Sequence, residues 1–195
     1  MLGLTLSEEF RGKRLKGMAV EPSNDTNTGT TQIAAKRSGR HAALIFIDLD
    51  NFKPLNDQLG HDVGDLLLME VAGRLTGRVR DNDTVCRFGG DEFVVLLSDL
   101  AGDEGESTSD ARIVSEKIRT RLAQPYVLGV RHAGQANTTV VHRCTASIGA
   151  VVFNKHHQDP ESLLKWADAA MYQAKDAGRN RVSFMAKIPR HEPPR

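Results

Sequence analysis

Residues 43–48 read Ala-Leu-Ile-Phe-Ile-Asp, an apolar run with no polar interruption before the acid that ends it. A strand built from such a run has no face it can turn to water, so it belongs in the middle of a sheet. The rest of the chain must then supply cover for both sides of that sheet, and strands for both of its edges.

The pattern downstream supplies them. Asp50 to Leu59 reads as a short helical turn ending at Gly60. From Gly64 to Arg78, Leu68, Val71, Ala72 and Leu75 recur at i, i+3, i+4 and i+7, the stripe of an amphipathic helix. Val85–Phe88 and Phe93–Leu97 are two strand-like runs joined by Gly89-Gly90-Asp91-Glu92, which predicts a hairpin. A second helix is expected from about Asp110 to Leu122, with Ala111, Val114, Ile118 and Leu122 inward. Arg143–Phe153 alternates as a strand, with Cys144, Ala146, Ile148, Ala150 and Val152 on one side. A third helix takes Asp159 as its N-cap and Pro160 as its first residue, buries Leu164, Ala167, Met171 and Ala174, and stops at Gly178. Val182–Met185 forms a last strand. The order predicts an α/β (α+β) sandwich of the ferredoxin-like βαββαβ type.

Composition narrows the class. A chain of 195 residues, 39% hydrophobic and 26% charged, suits one soluble globular domain with a short appendage. A net charge of +1 argues against a broad basic field for duplex DNA or a membrane surface. Two cysteines, Cys86 and Cys144, make neither a disulfide framework nor a four-cysteine zinc site. No apolar run approaches the roughly 20 residues that span a bilayer, and no secretory signal follows Met1. A cytoplasmic location is expected. Residues 1–35 contain the polar stretch Pro22–Gln32 and a weakly striped Ser7–Met18, and read as an arm, linker or disordered tail. The domain is expected over 36–185, followed by a tail at 186–195.

Four polar clusters could carry chemistry. Asp48-Leu49-Asp50 ends the buried strand, where side chains leave the scaffold at fixed angles; an acid there also serves as a plain turn former. Gly89-Gly90-Asp91-Glu92 gives backbone freedom beside two acids that open a strand, a place where acids are disfavoured. Asp48 and Asp91 would share hard cations if the hairpin lies beside the first strand. Lys53, Asn56, His61 and Asp65 offer a phosphate cation, an amide and carboxylate able to read a guanine edge, and a ligand-side imidazole before the Asp65 helix, against the alternative of solvated polarity. Lys175 and Arg179 suit a helix C-terminus electrostatically, or phosphate if that end faces the acids. Together the four describe a nucleoside triphosphate site.

The motifs Asp48-Leu49-Asp50-x-Phe52-Lys53-x-x-Asn56-Asp57-x-x-Gly60-His61-x-x-Gly64-Asp65 and Arg87-Phe88-Gly89-Gly90-Asp91-Glu92-Phe93 resemble those of the GGDEF-domain diguanylate cyclases. So do Ala146-Ser147-Ile148-Gly149 and Ala167-Asp168-x-Ala170-Met171-Tyr172-x-Ala174-Lys175-x-x-Gly178-Arg179-Asn180, the resemblance covering about residues 36–185. It implies a mostly antiparallel sheet flanked by helices, related to the class III nucleotidyl cyclases and the polymerase palm. It implies condensation of two GTP into cyclic di-GMP with release of two pyrophosphates. By motif, Asp48, the Leu49 carbonyl and Asp91 would hold two Mg2+ or Mn2+. Asn56 and Asp65 would read guanine beside His61, and Lys53, Lys175 and Arg179 would meet phosphates. Gly89 and Gly90 would admit the α-phosphate, and Asp91 or Glu92 would accept the 3′-hydroxyl proton. One domain holds one GTP and the two bonds formed are reciprocal, so a homodimer with opposed sites is implied.

Arg80-x-x-Asp83, with five residues between it and Gly89, matches the family's inhibitory site for cyclic di-GMP. The resemblance breaks at the front, where the family opens with D-x-L-T-G-L-x-N-R. The nearest fragment here is Asp25-Thr26-Asn27-Thr28-Gly29, so the opening helix is shortened, replaced or absent. No sensory domain fits in this length, which implies a fragment or control by a partner or by product. The alternative function is a catalytically silent domain that binds cyclic di-GMP or GTP; a docking domain would leave the acids unexplained.

Overall fold

The computed structural model describes residues 40–130, 138–154 and 160–185. The expected arm, the Asp159 cap and the C-terminal tail lie outside them. The elements are β1 (Ala42–Asp50), α1 (Phe52–Leu59), α2 (His61–Thr76), β2 (Thr84–Gly89), β3 (Glu92–Leu97), α3 (Glu104–Leu122), β4 (Tyr126–Val130), β5 (Thr138–His142), β6 (Thr145–Phe153), α4 (Pro160–Asp176) and β7 (Val182–Phe184).

Among the described residues the main sheet runs β2-β3-β1-β6-β7. β1 pairs antiparallel with β3 and β6, β2 pairs antiparallel with β3, and β7 lies parallel to β6. The first four positions are the ferredoxin-like arrangement; β7 extends it by one strand. This α+β sandwich is the expected fold class. The apolar run is central as expected, with every residue of β1 buried.

Strand parity divides the core. Ala43, Ile45, Ile47 and Leu49 point to the layer of α2 and α3, meeting Leu67, Val71, Leu75, Ala111 and Ile118. Ala42, Leu44 and Phe46 point the other way, with Val94, Val151 and Phe153, against Leu163, Ala167 and Met171 of α4. Asp48 and Asp50 share the parity of the α4 face. α4 lies close there because Gly149 has no side chain: a methyl on it would overlap the Ala167 carbonyl oxygen and the Met171 nitrogen and lie 2.8 Å from the Ala170 carbonyl carbon.

Several expectations shift. α2 starts at His61, so His61 opens the Asp65 helix instead of preceding it. α3 starts six residues early, at Glu104, because Asp103 caps it by accepting from the Glu106 N–H (2.9 Å). Its first turns are polar and leave no apolar stripe to detect. Val114 is half-buried and Ser115 takes an inward place beside Ala111. In α4 the inward leucine is Leu163, with Leu164 half-buried. The hairpin β4–β5 went unpredicted, although β4 alternates buried and exposed along its length. β6 begins at Thr145, leaving Arg143 and Cys144 before it.

Candidate active site

The acids gather where β1 ends. Asp48 stands opposite Glu92 in the β1–β3 register, which puts both side chains on the α4 face. The Leu49 N–H donates to the Asp91 carbonyl (3.3 Å), tying the hairpin tip to β1. In a strand the N–H and C=O of one residue face the same neighbour, so the Leu49 carbonyl is turned toward the same tip. That tip is the two-residue turn Gly90–Asp91, where Gly90 takes φ +48°. Arg87 braces it from β2, its Nε donating to the Gly90 carbonyl (2.8 Å). Among the described residues a side chain on Gly89 or Gly90 would meet nothing within 4 Å, which leaves room for a ligand at the tip.

Lys175, in the last turn of α4, donates from Nζ to Asp48 Oδ2 (2.8 Å). The site is otherwise dominated by negative charge. Burial pushes the Asp48 carboxyl up, against the Lys175 hydrogen bond and charge that pull it down, with Asp91 and Asp50 pushing further up. Burial also raises Glu92, followed by the charges of Asp48, Asp91 and Asp168, with Lys175 opposing. Carboxylates held unwillingly ionised at one strand end are suited to a cation. Among the described residues no three His, Cys, Asp or Glu side chains form a closed metal cage. One or two carboxylates and a carbonyl are the hard donor set that magnesium completes with phosphate oxygens, so the residues present fit that ion.

Asp50, same in parity, has a different role. Buried, it accepts from Thr145 Oγ1 (2.6 Å), Ser147 Oγ (2.7 Å) and the Asn180 N–H (3.2 Å). Its lone pairs go to neutral donors, and it fixes the start of β6 and the turn after α4.

Asn56 in α1 carries the next signal. Among the described residues its buried Oδ1 has no hydrogen-bond partner, and it lies against the bare α-carbon of Gly64 in α2. A buried amide oxygen left unpaired is costly and calls for a donor. Asp65 and His61 are exposed on the first turns of the same helix, and Lys53 is exposed on the first turn of α1. Gly60, at φ +85°, breaks α1 from α2 and lets them meet at the angle that brings Asn56 to Gly64. Arg179 is exposed in the turn after α4, one short step from Lys175.

Arg80 and Asp83 lie in the turn before β2. Asp83 Oδ2 accepts from the Arg80 N–H (2.8 Å) and Oδ1 from the Ser98 N–H (2.9 Å), so the carboxylate is anchored while Arg80 stays exposed.

A family model described as "Diguanylate cyclase, GGDEF domain" matches residues 27–181. The chain belongs to the GGDEF domain family. It is 44% identical over 150 residues to the bifunctional diguanylate cyclase/cyclic di-GMP phosphodiesterase MucR of Pseudomonas aeruginosa, covering 77% of this chain and 20% of MucR. It is 40% identical over 149 residues to the cyclic di-GMP phosphodiesterase NbdA of the same organism, covering 76% of this chain and 17% of NbdA. A crystal structure of the GGDEF domain of DgcB from Caulobacter crescentus in complex with c-di-GMP superposes with a TM-score of 0.63 at 27% identity, covering 78% of this chain and 82% of that one. This GGDEF domain thus spans about a fifth of the length of these two curated relatives. None of its described helices is long and apolar enough to cross a membrane.

Sequence reasoning missed what Gly64, Asp50, Asn180 and Arg119 do in this GGDEF domain. Their signal is present only as spacing within motifs, or, for Arg119, as one charge among many on α3.

Proposed function

We propose that this chain is the catalytic domain of a diguanylate cyclase, with its domain boundaries near residues 36 and 185. The observation that carries this is the convergence of Asp48, Glu92 and Lys175 at one end of β1, with Asn56 Oδ1, unpaired among the described residues, on the adjoining helix pair. In this reading Asn56 Oδ1 accepts from the guanine 2-amino group and Asp65 from its N1–H side, with His61 beside them. Lys53, Lys175 and Arg179 neutralise the triphosphate, and the bare backbone at Gly89-Gly90 admits the α-phosphate. Asp48, the Leu49 carbonyl and Asp91 would hold two Mg2+ or Mn2+ ions, which when bound offset the charge that builds on the α-phosphate and departing pyrophosphate. Asp91 or Glu92 takes the 3′-hydroxyl proton.

Each 3′-oxygen must attack the α-phosphorus of the other GTP, so two chains are needed with sites opposed. Product returns to the exposed Arg80, with Asp83 as its partner, and holds the domain inactive. Purified chain given GTP and Mg2+ should make cyclic di-GMP, and Glu92→Gln should abolish product. A preparation held monomeric should bind GTP without turnover. Formation of cyclic di-GMP by a proven monomer would refute the dimer requirement.

A second reading is a silent domain that binds GTP or cyclic di-GMP. The similarity to NbdA, whose name states only a phosphodiesterase, favours it. GTP binding with no product at any protein concentration would decide for it.

A further inference from the structure

The turn from α4 to β7 has an unusual backbone. α4 closes with the Arg179 N–H on the Ala174 carbonyl (3.0 Å) and the Gly178 N–H on the Lys175 carbonyl (3.1 Å), around Gly178 at φ +107°. This is a Schellman ending, which needs one left-handed residue. Here two more follow, Arg179 at φ 59° and Asn180 at φ 46°. A residue with a Cβ resists that conformation, and a run of it persists only where the surroundings impose it.

Arg181 Nε donates to the Arg179 carbonyl within the turn (3.2 Å), and two grips reach it from outside. From the sheet, buried Asp50 accepts the Asn180 N–H. Asp50 is itself immobilised by the Thr145 and Ser147 hydroxyls, so it acts as a fixed point of β1 and β6. From α3, Arg119 Nη1 donates to Asn180 Oδ1 (2.9 Å), and Arg119 is steadied by Glu116 (2.7 Å). Immediately before Asn180 stands Arg179, and one helical turn earlier Lys175 reaches Asp48.

We infer that Asp50, Arg119 and Asn180 form a clamp that holds the strained turn so that Arg179 and Lys175 meet the substrate's phosphates. They are positioning residues; none of them touches substrate. The inference rests on the reading of Arg179 and Lys175 as phosphate-binding groups. Its consequence is that α3, which contributes no side chain to the proposed site, has mechanical hold of the site's phosphate end.

The test separates phosphate from base. GTP and guanosine affinities are measured with Mg2+, alongside thermal melts, for the full chain and for Arg119→Met, Asn180→Ala, Asn180→Asp, the double variant Arg119→Met/Asn180→Ala and Arg179→Ala. Arg119 is on a helix surface, so its replacement leaves the core untouched. Arg119→Met and Asn180→Ala should each weaken GTP about tenfold, the scale of one charge-assisted hydrogen bond, with guanosine unchanged. The double variant should be no worse than the weaker single, and Asn180→Asp, which keeps the acceptor and tolerates the left-handed backbone, should restore binding. If Arg179→Ala weakens GTP but Arg119→Met does not, the clamp is refuted. It is also refuted if guanosine weakens in step with GTP, which would mark a general loss of structure. If Arg179→Ala leaves GTP binding unchanged, the phosphate reading fails and the clamp falls with it.

Discussion

Gly64→Ala sets local stability against function at one position. A methyl built on Gly64 overlaps Asn56 Oδ1 and lies 2.9 Å from Asn56 Cγ and 3.3 Å from Phe52 Cζ. The obstructing atom is the far end of a side chain, so Asn56 can rotate away. Gly64 lies within α2, where alanine is favoured over glycine by about 1 kcal/mol. Rotation also carries the unpaired Oδ1 toward water, relieving a burial penalty of about 1–3 kcal/mol. Both effects favour the variant's fold, and only the slight crowding of Phe52 opposes them. The melting temperature should therefore rise, by about 2–4 °C for each kcal/mol gained in a domain of this size.

Guanine recognition should move the other way. A displaced Asn56 no longer accepts from the 2-amino group, a loss of about 1–2 kcal/mol that raises the GTP KM roughly tenfold. Inosine triphosphate lacks that amino group. The full chain should prefer GTP over inosine triphosphate, and the variant should lose most of that preference because GTP alone is weakened. The assay is a thermal melt with parallel kinetics on the two nucleotides. A melting temperature that falls by several degrees would show Asn56 locked in place. An unchanged preference would show that Asn56 does not read the 2-amino group. Either result refutes the reasoning.

Gly149→Ala should behave oppositely, because the clashing atoms are α4 backbone and cannot rotate away: a loss of about 3 kcal/mol, read as a fall of roughly 6–12 °C in the melt, with activity lost as Lys175 shifts. Lys175→Met removes the cation already on Asp48, so Mn2+ measured without nucleotide should bind roughly threefold tighter while GTP binds more weakly. Glu92→Gln removes a carboxyl that burial and three like charges push up; the fold favours its neutral form, so the metal-free melting temperature should rise at neutral pH. The same raised pKa means that the fold binds a proton more readily than the unfolded chain. Metal-free stability should thus fall as pH rises from the ordinary glutamate range through the folded-state value, and that slope should flatten in the variant. Arg80→Ala should relieve inhibition by added cyclic di-GMP, and unchanged inhibition would remove the proposed role of Arg80.

The parts of the fold that rest on apolar periodicity were legible, and those that rest on polar end-structure were not. The Ala43–Asp48 run follows from burial on both faces, the Leu68–Leu75 stripe from the helical period and the hairpin around Gly90 from a glycine pair between two apolar runs, and each stands where expected. The first turns of α3 follow from a cap and bury only the polar Ser107, so apolar periodicity had nothing to register. The hairpin β4–β5 is short and one-sided, with Val127 and Val141 exposed, which blurs the alternation. At the site, residue type announced Asp48, Glu92 and Lys175 because their chemistry is carried by charge. Gly64 leaves empty the space that Asn56 Oδ1 occupies. Asn180 combines a left-handed backbone with bonds to Asp50 and Arg119, and neither the empty space nor those partners can be read from residue type.

Asp48 and Asp50 show how far parity alone can be taken. They sit on one strand, two residues apart, buried, on one face, and the sequence treats them as a single acidic cluster. Their surroundings differ by two residues along β6. Asp50 stands opposite Thr145 and two residues from Ser147, whose hydroxyls fill its lone pairs, and the Asn180 N–H completes the set. A carboxylate so satisfied by neutral donors has little left for a cation and gains most by staying fixed. Asp48 stands between Ser147 on β6 and Glu92 on β3, and Ser147 is already committed to Asp50. It is left with an ammonium and three neighbouring carboxylates, an unbalanced site that a divalent ion would balance. In the proposed function the division of labour between these two like residues is therefore set by β6, whose Ser147 hydroxyl goes to Asp50 and not to Asp48.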